Sequence, residues 1–172
     1  MVTHLFNAQS QIGNREPGVA GAALATGIIN AGLIADGIHV HPETIAIALR
    51  AKRGPGKIFL VTDAMSVTGT DATEFTLNGR RILRRDRALR LEDGTLAGAD
   101  LTMIEAIVFM HRTIGLPLEE ALRMATVYPA AAIGAPQHGH LRAGARADFV
   151  HLGDDLGVRS TWIGGERVFP QR

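Results

Sequence analysis

The stretch Ile58 to Met65, with the sequence IFLVTDAM, constrains the fold most because a short apolar run ends in polar residues. The four apolar residues Ile58 to Val61 follow the breakers Gly54 to Gly56. This pattern predicts a strand buried on both faces, as in a parallel sheet. Asp63 stands at the carboxyl end of that strand, where α/β enzymes place catalytic groups. From this stretch alone, a helix N-cap is an equally good interpretation of Asp63.

Strand and helix patterns alternate in the first 61 residues. The pattern predicts a strand end at Val2–Leu5, a helix at Val19–Thr26, a strand at Ala31–Ala35, a helix from Pro42 and the strand at Ile58–Val61. Polar side chains follow each strand: first His4 and Asn7, then Asp36 and His39, then Asp63. We therefore predict an α/β fold with parallel βα units, as in part of a (β/α) barrel. An open doubly wound sheet is the alternative.

The pattern changes at Glu74. Apolar residues flank Asn78-Gly79, a strong two-residue hairpin signal, and a second turn is predicted at Asp93-Gly94. We expect an antiparallel hairpin excursion at about residues 74–96. Further segments are predicted as helices at 101–114, 117–125 and 128–133, and as strands at 147–152, 158–163 and 167–169.

Composition excludes several classes of protein. The 18 Lys and Arg nearly balance the 17 Asp and Glu, so we predict no nucleic-acid partner, and we interpret the basic cluster Arg80 to Arg90 as a solvated hairpin face. The sequence has no cysteine, which excludes disulfides and thiolate metal sites and fits a reducing compartment. No apolar run approaches the roughly 20 residues that span a bilayer, so we predict no membrane partner. Because Met1 to Thr3 resembles the end of a strand, we expect the chain to begin inside a larger fold.

Six motifs in order resemble the N-acetylglucosamine-6-phosphate deacetylases, a family of the metal-dependent amidohydrolase superfamily. They are VTHLFNA, NREPG, IADGIHV, LVTDAM, LAGADLTM and ATVYPAAAIG. The resemblance implies the C-terminal half of a deacetylase. Residues 1–144 would form part of a TIM-like barrel, at about strands 6–8, with the hairpin insertion. Residues 145–172 would add the C-terminal strands of a small β-sandwich.

The same resemblance implies the chemistry of two residues. His4 matches a metal-ligand position, and the implied cofactor is a divalent metal, zinc or iron. Asp63 matches the catalytic aspartate, a general base that then acts as a general acid. The earlier glutamate and histidine ligands of the family have no counterpart in this sequence.

The resemblance also implies a pocket for a phosphorylated amino sugar. Its residues would be Asn7, Ala8, Arg15, Asp36, Gly37, Ile38, His39, Leu96, Ala97 and Gly98. The stretch Leu96 to Gly98 matches a loop that closes over the sugar. In the family the arginine comes from the neighbouring subunit, which implies a homodimer. We assign no ligand role to His41 and no role to Asp100.

The predicted reaction is hydrolysis of N-acetylglucosamine 6-phosphate to glucosamine 6-phosphate and acetate, in the cytoplasm. Because part of the metal site is missing, we expect this chain alone to be inactive or nearly so. Two alternatives remain open. One is another amidohydrolase, such as a deacetylase of the galactosamine epimer, and the other is a non-catalytic sugar-phosphate-binding or assembly fragment.

Overall fold

The computed structural model describes residues 1–170, so the last two residues of the predicted 145–172 unit lie outside the described part. Five helices and nine strands form within it. The helices are α1 Gly18–Ala25, α2 Pro42–Ala51, α3 Met103–Arg112, α4 Leu118–Ala125 and α5 Val127–Ala132. The strands are β1 Ala31–Ile34, β2 Ile58–Val61, β3 Glu74–Leu77, β4 Arg80–Arg85, β5 Ala88–Leu91, β6 Leu96–Ala99, β7 Phe149–Leu152, β8 Val158–Ile163 and β9 Glu166–Phe169.

Strands β1 and β2 pair in parallel, in register from Ala31 with Ile58 to Ile34 with Val61. All of β1 and the first three residues of β2 are buried, which confirms the prediction of strands covered on both faces. Helices α1 to α4 contribute to the core around them, which includes Leu33, Ile45 and Met110. The chain is therefore α/β, as predicted.

Two isolated parallel bridges extend this pair on either side. Val2 bridges to Ala31, and Ala64 bridges to Ala99 at the end of β6. The predicted strand end at 2–5 is thus a single bridge, because the chain turns at once after Val2. Four chain segments run in parallel in the order Val2, β1, β2 and Ala99. No closed barrel forms within residues 1–170.

The excursion after β2 is a four-stranded antiparallel sheet in the order β3-β4-β5-β6. The hairpin at Asn78-Gly79 is confirmed, since Leu77 pairs with Arg80. A second hairpin turns at Asp86 and Arg87, both with positive φ, and the sequence gives no Gly or Asn signal for it. The predicted loop at Leu96 to Gly98 is wrong: these residues lie in β6, so the sheet continues to Ala99.

The last three strands form an antiparallel sheet in the order β7-β8-β9, as the pattern at 147–169 predicts. Phe149 stacks on Trp162 across the β7–β8 pair, with ring centroids 4.5 Å apart. In the described chain, no helix is both long and apolar enough to cross a membrane.

Candidate functional site

The candidate site lies at the carboxyl ends of the parallel segments. His4 follows Val2, Asp36 follows β1 and Asp63 follows β2. Because these segments are neighbours that run in one direction, the polar residues after them lie at the same edge of the sheet. The structure thus brings these polar residues to one edge of the sheet, as the alternation of strands and helices predicts, and their roles stay a prediction.

Asp63 lies in an unusual backbone conformation. Its φ is 54°, in the left-handed region that non-glycine residues seldom adopt. Its carbonyl oxygen accepts a hydrogen bond from the N–H of Ala99 at 2.9 Å, which ties the residue to the end of β6. The side chain is exposed, and within residues 1–170 its carboxylate accepts no hydrogen bond. The N-cap interpretation is wrong, because the next helix begins only at Met103.

His4 lies in a tight turn that presents one ring nitrogen. Its Nδ1 is 2.8 Å from the carbonyl oxygen of Asn7. A carbonyl can only accept, so Nδ1 must carry the proton, and in the neutral ring Nε2 keeps a free lone pair. In metal-binding histidines, the ring nitrogen that does not bind the metal commonly donates to a backbone carbonyl in this way, and the hydrogen bond orients the ring. His4, Phe6 and Ala8 all have positive φ values, so the turn is conformationally strained.

Asp36 and His39 form a buried pair after β1. The Asp36 Oδ2 atom is 2.6 Å from His39 Nδ1, and Oδ1 accepts hydrogen bonds from the N–H groups of Ile38 and His39, each at 2.8 Å. Burial alone raises the pKa of Asp36, but these hydrogen bonds outweigh it and lower that pKa below its ordinary 3.8. The carboxylate therefore holds the His39 ring in one orientation.

The other nitrogen of His39 has no partner. Nε2 is fully buried, and within residues 1–170 it forms no hydrogen bond. An unpaired buried polar atom costs about 1–3 kcal/mol, so a site of this kind favours a ligand that supplies the missing partner. Gly37 makes the turn possible, because its φ is 75° and a Cβ there would approach the Phe109 ring to 3.0 Å.

The remaining predicted substrate residues occupy two places. Asn7 and Ala8 are in the turn that carries His4, where the Asn7 amide contacts the Leu5 carbonyl at 3.4 Å. Arg15 is exposed on the following loop. His41, to which we assign no ligand role, caps α2 by accepting a hydrogen bond from the Glu43 N–H at 3.2 Å.

Leu96 and Ala97 line a cavity of about 570 Å³ between the antiparallel sheet and Met65, two residues beyond Asp63. Gly98 lies against the same methionine. A Cβ at Gly98 would come within 2.7 Å of Met65 Sδ and 3.2 Å of the Asp63 carbonyl oxygen. The glycine thus allows β6 to approach the segment that carries Asp63.

Arg84 and Asp100 form an ion pair that the sequence analysis missed. Arg84 Nε and Nη2 donate to the two carboxylate oxygens at 2.6 and 2.8 Å, and Nη1 donates to the Thr70 carbonyl at 2.5 Å. The Asp100 hydrogen bond raises the pKa of the Arg84 guanidinium. The pair ties the loop after Asp63 to the end of β6. Its members are 16 residues apart, and although Asp100 lies within the LAGADLTM motif, no sequence signal pairs it with Arg84.

The described residues contain no group of three or more His, Asp or Glu side chains placed to hold a metal. Zinc sites in proteins use three or four protein ligands. His4 fits one ligand position, through its free Nε2, but one imidazole does not make a site. The residues present therefore fit only part of a metal centre.

The chain is similar to known proteins over nearly its whole length. The profile of the amidohydrolase family matches residues 2–168. An N-acetylgalactosamine-6-phosphate deacetylase from Shewanella sp. (strain ANA-3) is 43% identical over 97% of this chain and 42% of its own length. The crystal structure of N-acetylglucosamine-6-phosphate deacetylase from Pasteurella multocida superposes with a TM-score of 0.90 at 38% identity, covering 96% of this chain and 43% of that one.

The chain thus spans about two fifths of the length of these relatives. A curated relative from Escherichia coli (strain K12), 34% identical, is instead matched over 97% of its own length. The profile match covers nearly every residue from Val2 to Val168, including each strand end of the candidate site. The chain belongs to the amidohydrolase family.

Proposed function

We propose that this chain supplies the proton-transfer residue and the sugar-phosphate pocket of an N-acetyl-amino-sugar-6-phosphate deacetylase. The observation that carries the proposal is the shared edge on which His4, the Asp36–His39 pair and Asp63 follow adjacent parallel segments. The printed names of the relatives support the substrate class, since they are deacetylases of N-acetylglucosamine or N-acetylgalactosamine 6-phosphate.

Asp63 is the proposed proton carrier. As water adds to the acetamide carbonyl carbon, the carboxylate accepts a water proton, and it then delivers that proton to the nitrogen as the C–N bond breaks. Acetic acid and the amine result, the acid then transfers its proton to the amine to give acetate and the ammonium, and the carboxylate is regenerated. Its exposed side chain, free of hydrogen bonds within residues 1–170, suits both steps.

The pocket residues bind the sugar phosphate in this proposal. The buried Nε2 of His39 pairs with a sugar hydroxyl, and Asn7, Ala8 and Arg15 bind the phosphate, for which an arginine fork is well matched. Arg15 lies on an exposed loop, which suits donation to a neighbouring subunit in a homodimer. We retain zinc or iron as the cofactor, with His4 as one ligand, and derive no step through the metal.

The proposed architecture follows the same comparison. Residues 1–144 form part of a TIM-like barrel, supported by the four parallel segments from Val2 to Ala99. Residues 145–172 contribute strands of a small β-sandwich, supported by the β7-β8-β9 sheet. The cytoplasmic location remains a proposal, supported by the absence of cysteine.

A fused enzyme tests the catalytic part. The segment of the Shewanella relative that precedes its matched region is joined to this chain, and deacetylation of both 6-phosphate epimers is assayed with added Zn²⁺. We expect turnover from the fusion and none from the chain alone. Asp63→Asn should reduce kcat of the fusion about 100-fold or more, whereas Asp86→Asn, in an exposed hairpin turn, should not. Full activity of the Asp63 variant would refute its role.

The galactosamine epimer is the second candidate substrate. It is favoured by the 43% identity to the Shewanella enzyme, compared with 38% to the Pasteurella multocida enzyme named for the glucosamine epimer. The ratio of kcat/KM for the two epimers in the fusion decides between them. If the chain alone binds glucosamine 6-phosphate in calorimetry but the fusion turns over neither epimer, the non-catalytic alternative is correct.

A further inference from the structure

A second cavity, of about 260 Å³, lies at the amino end of β2. Its wall includes Lys52, Lys57, Ile58, Met124 and Tyr128. Ile58 begins β2, and Asp63 follows its end, so at about 3.3 Å per residue the strand separates the two places by more than 10 Å. The cavity is therefore distinct from the candidate deacetylase site.

Both lysines of the sequence line this cavity. Lys52 and Lys57 are the only lysines among the 18 Lys and Arg residues, and both line this wall. Lys52 follows α2 as its C-cap residue, and its ammonium donates to the carbonyl oxygens of Thr26 and Arg53. The Lys57 ammonium lies 5.3 Å from the centre of the Tyr128 ring. Two compact, strongly hydrated cations thus flank one partly enclosed space.

The wall carries more positive than negative charge, with two lysines and one carboxylate, that of Glu120. Neither lysine forms a salt bridge within residues 1–170. Glu120 is the acidic residue of the wall, but its Oε1 accepts the Tyr128 hydroxyl at 2.7 Å and its Oε2 accepts Arg123 Nη1 at 3.2 Å. Burial, and then the charge of Lys57, lower the pKa of Lys52.

We propose that this cavity binds a small organic anion, whose charged group contacts Lys52 and Lys57 and whose apolar body lies against Ile58, Met124 and the Tyr128 ring. The proposal does not depend on the deacetylase function. A cavity of about 150 Å³ holds a benzene-sized ring, so 260 Å³ has room for such a ring with an anionic substituent. Lysine ammonium groups bind either a phosphate or a carboxylate as point charges.

The lysine content of the chain provides a selective measurement. Labelling lysine side chains with ¹³C places all side-chain signals in this cavity, and the complete chain is titrated with phenyl phosphate, benzoate, inorganic phosphate and benzyl alcohol. We expect phenyl phosphate or benzoate to shift both lysine signals with a Kd of about 1 mM or lower. Inorganic phosphate and benzyl alcohol should each bind at least about tenfold more weakly, since each lacks one half of the contacts.

The lysine titration gives a second, independent result. A bound anion stabilises the protonated ammonium, so the pKa of Lys52 should rise when the ring-bearing anion is present. Lys57→Met should weaken binding about tenfold or more, and its exposed side chain allows the fold to be kept. Lys52→Met is the second variant. Arg142→Met, which removes an exposed cation outside the cavity, is the matched control.

The titrations identify the charged group of the ligand, and they also define the results that would overturn the proposal. Whichever ring-bearing anion binds more tightly identifies the head group as phosphate or carboxylate. The proposal is overturned if neither moves the lysine signals at 10 mM, which is about ten times the expected Kd. It is also overturned if inorganic phosphate binds as tightly as phenyl phosphate, or if Arg142→Met weakens binding as much as Lys57→Met.

Discussion

The residues that carry the proposed chemistry adopt backbone conformations that most side chains avoid. His4, Ala8 and Asp63 have φ values of 31°, 51° and 54°. Each such conformation costs on the order of 1–3 kcal/mol and persists only where the surrounding structure imposes it. At Asp63 the constraint comes from β6, through the hydrogen bond from Ala99 to its carbonyl. Stability is therefore given up at the site in order to aim these side chains.

Substitutions at Asp63 should separate conformation from chemistry. Asparagine tolerates positive φ, and the carboxylate accepts no hydrogen bond within residues 1–170, so Asp63→Asn should change the free energy of unfolding by less than about 0.5 kcal/mol. Asp63→Val places a β-branched residue at φ 54° and should lower it by about 1–2 kcal/mol. Urea denaturation of both variants measures the difference. Equal stabilities would show that the backbone relaxes freely at this position.

The buried Asp36 carboxylate should make stability depend on pH. Its pKa in the folded chain lies below the ordinary 3.8, so its contribution is complete above 3.8 and is lost as the pH falls through the folded value. Asp36→Asn should lower the free energy of unfolding at pH 7 by about 1–3 kcal/mol, and by less at about pH 3. Urea denaturation at several pH values provides the measurement. A difference that stays constant down to pH 3 would contradict this assignment.

For single residues, the sequence predicts which side chains follow a strand better than it predicts which side chains contact one another. Asp63, Asp36 and His4 were predicted at strand ends because apolar runs stop just before them, and a strand end is a local property. The ion pair of Arg84 with Asp100 was not predictable. It depends on how a separate sheet packs against the loop after Asp63, which no spacing in the sequence encodes.

At the element scale, turn chemistry decides what could be predicted. Helix α2 begins at Pro42 and the first hairpin turns at Asn78-Gly79, both of which carry strong local signals. The turn at Asp86 and Arg87 carries none, although both residues have positive φ. The resemblance to the deacetylase family predicts a loop at Leu96 to Gly98, but these residues pair with β5 and form strand β6.

The Arg84–Asp100 pair should hold the antiparallel sheet against the segment that carries Asp63. In Arg84→Met we expect the Ala99 amide, which donates to Asp63, to exchange with solvent about tenfold faster or more. Arg81→Met is the matched control, since Arg81 pairs with Glu74 on an exposed part of the same sheet. Amide exchange followed by NMR compares the two variants. Equal exchange rates in both would show that the pair does not restrain this junction.

At the scale of the whole molecule, the chain exposes more surface than its mass requires. Its accessible area is 10280 Å² for 18.3 kDa. A compact monomer of that mass exposes about 8,100 Å². The surplus of roughly 2,100 Å² is comparable to what a stable protein–protein interface buries. Exposed apolar side chains such as Ile28 and Leu141, at 78% and 81%, add to it.

We therefore expect the purified chain to associate with copies of itself. Sedimentation velocity should give an average mass above 18.3 kDa that rises with concentration over the micromolar range. Fusion to the leading segment of the Shewanella relative should cover part of this surface and reduce the concentration dependence. A chain that stays monomeric at about 100 μM, well above the Kd of many specific interfaces, would contradict the expectation.

The fold class was predictable at this scale because alternation of strands and helices is a property of the whole sequence. Whether the parallel strands close into a barrel was not predictable, since closure depends on which segments pair with one another. The sequence predicts three parallel strands, and the structure adds a fourth segment at Ala99 that arrives from an antiparallel sheet. Strand β6 is antiparallel to β5 and makes only one parallel bridge, at Ala99, and four residues are too few to show either pattern clearly.

The bridge between Ala64 and Ala99 also bears on how such a chain can evolve. The excursion leaves the parallel segments and returns to them at neighbouring points, so residues 65–98 form a detour whose two ends are already joined. Lengthening or shortening the detour changes the loop-closure entropy only slowly, by about 0.6 kcal/mol per doubling. A segment of different length can therefore replace residues 65–98, and the cavity wall that they provide, while the spacing of the parallel strands stays the same.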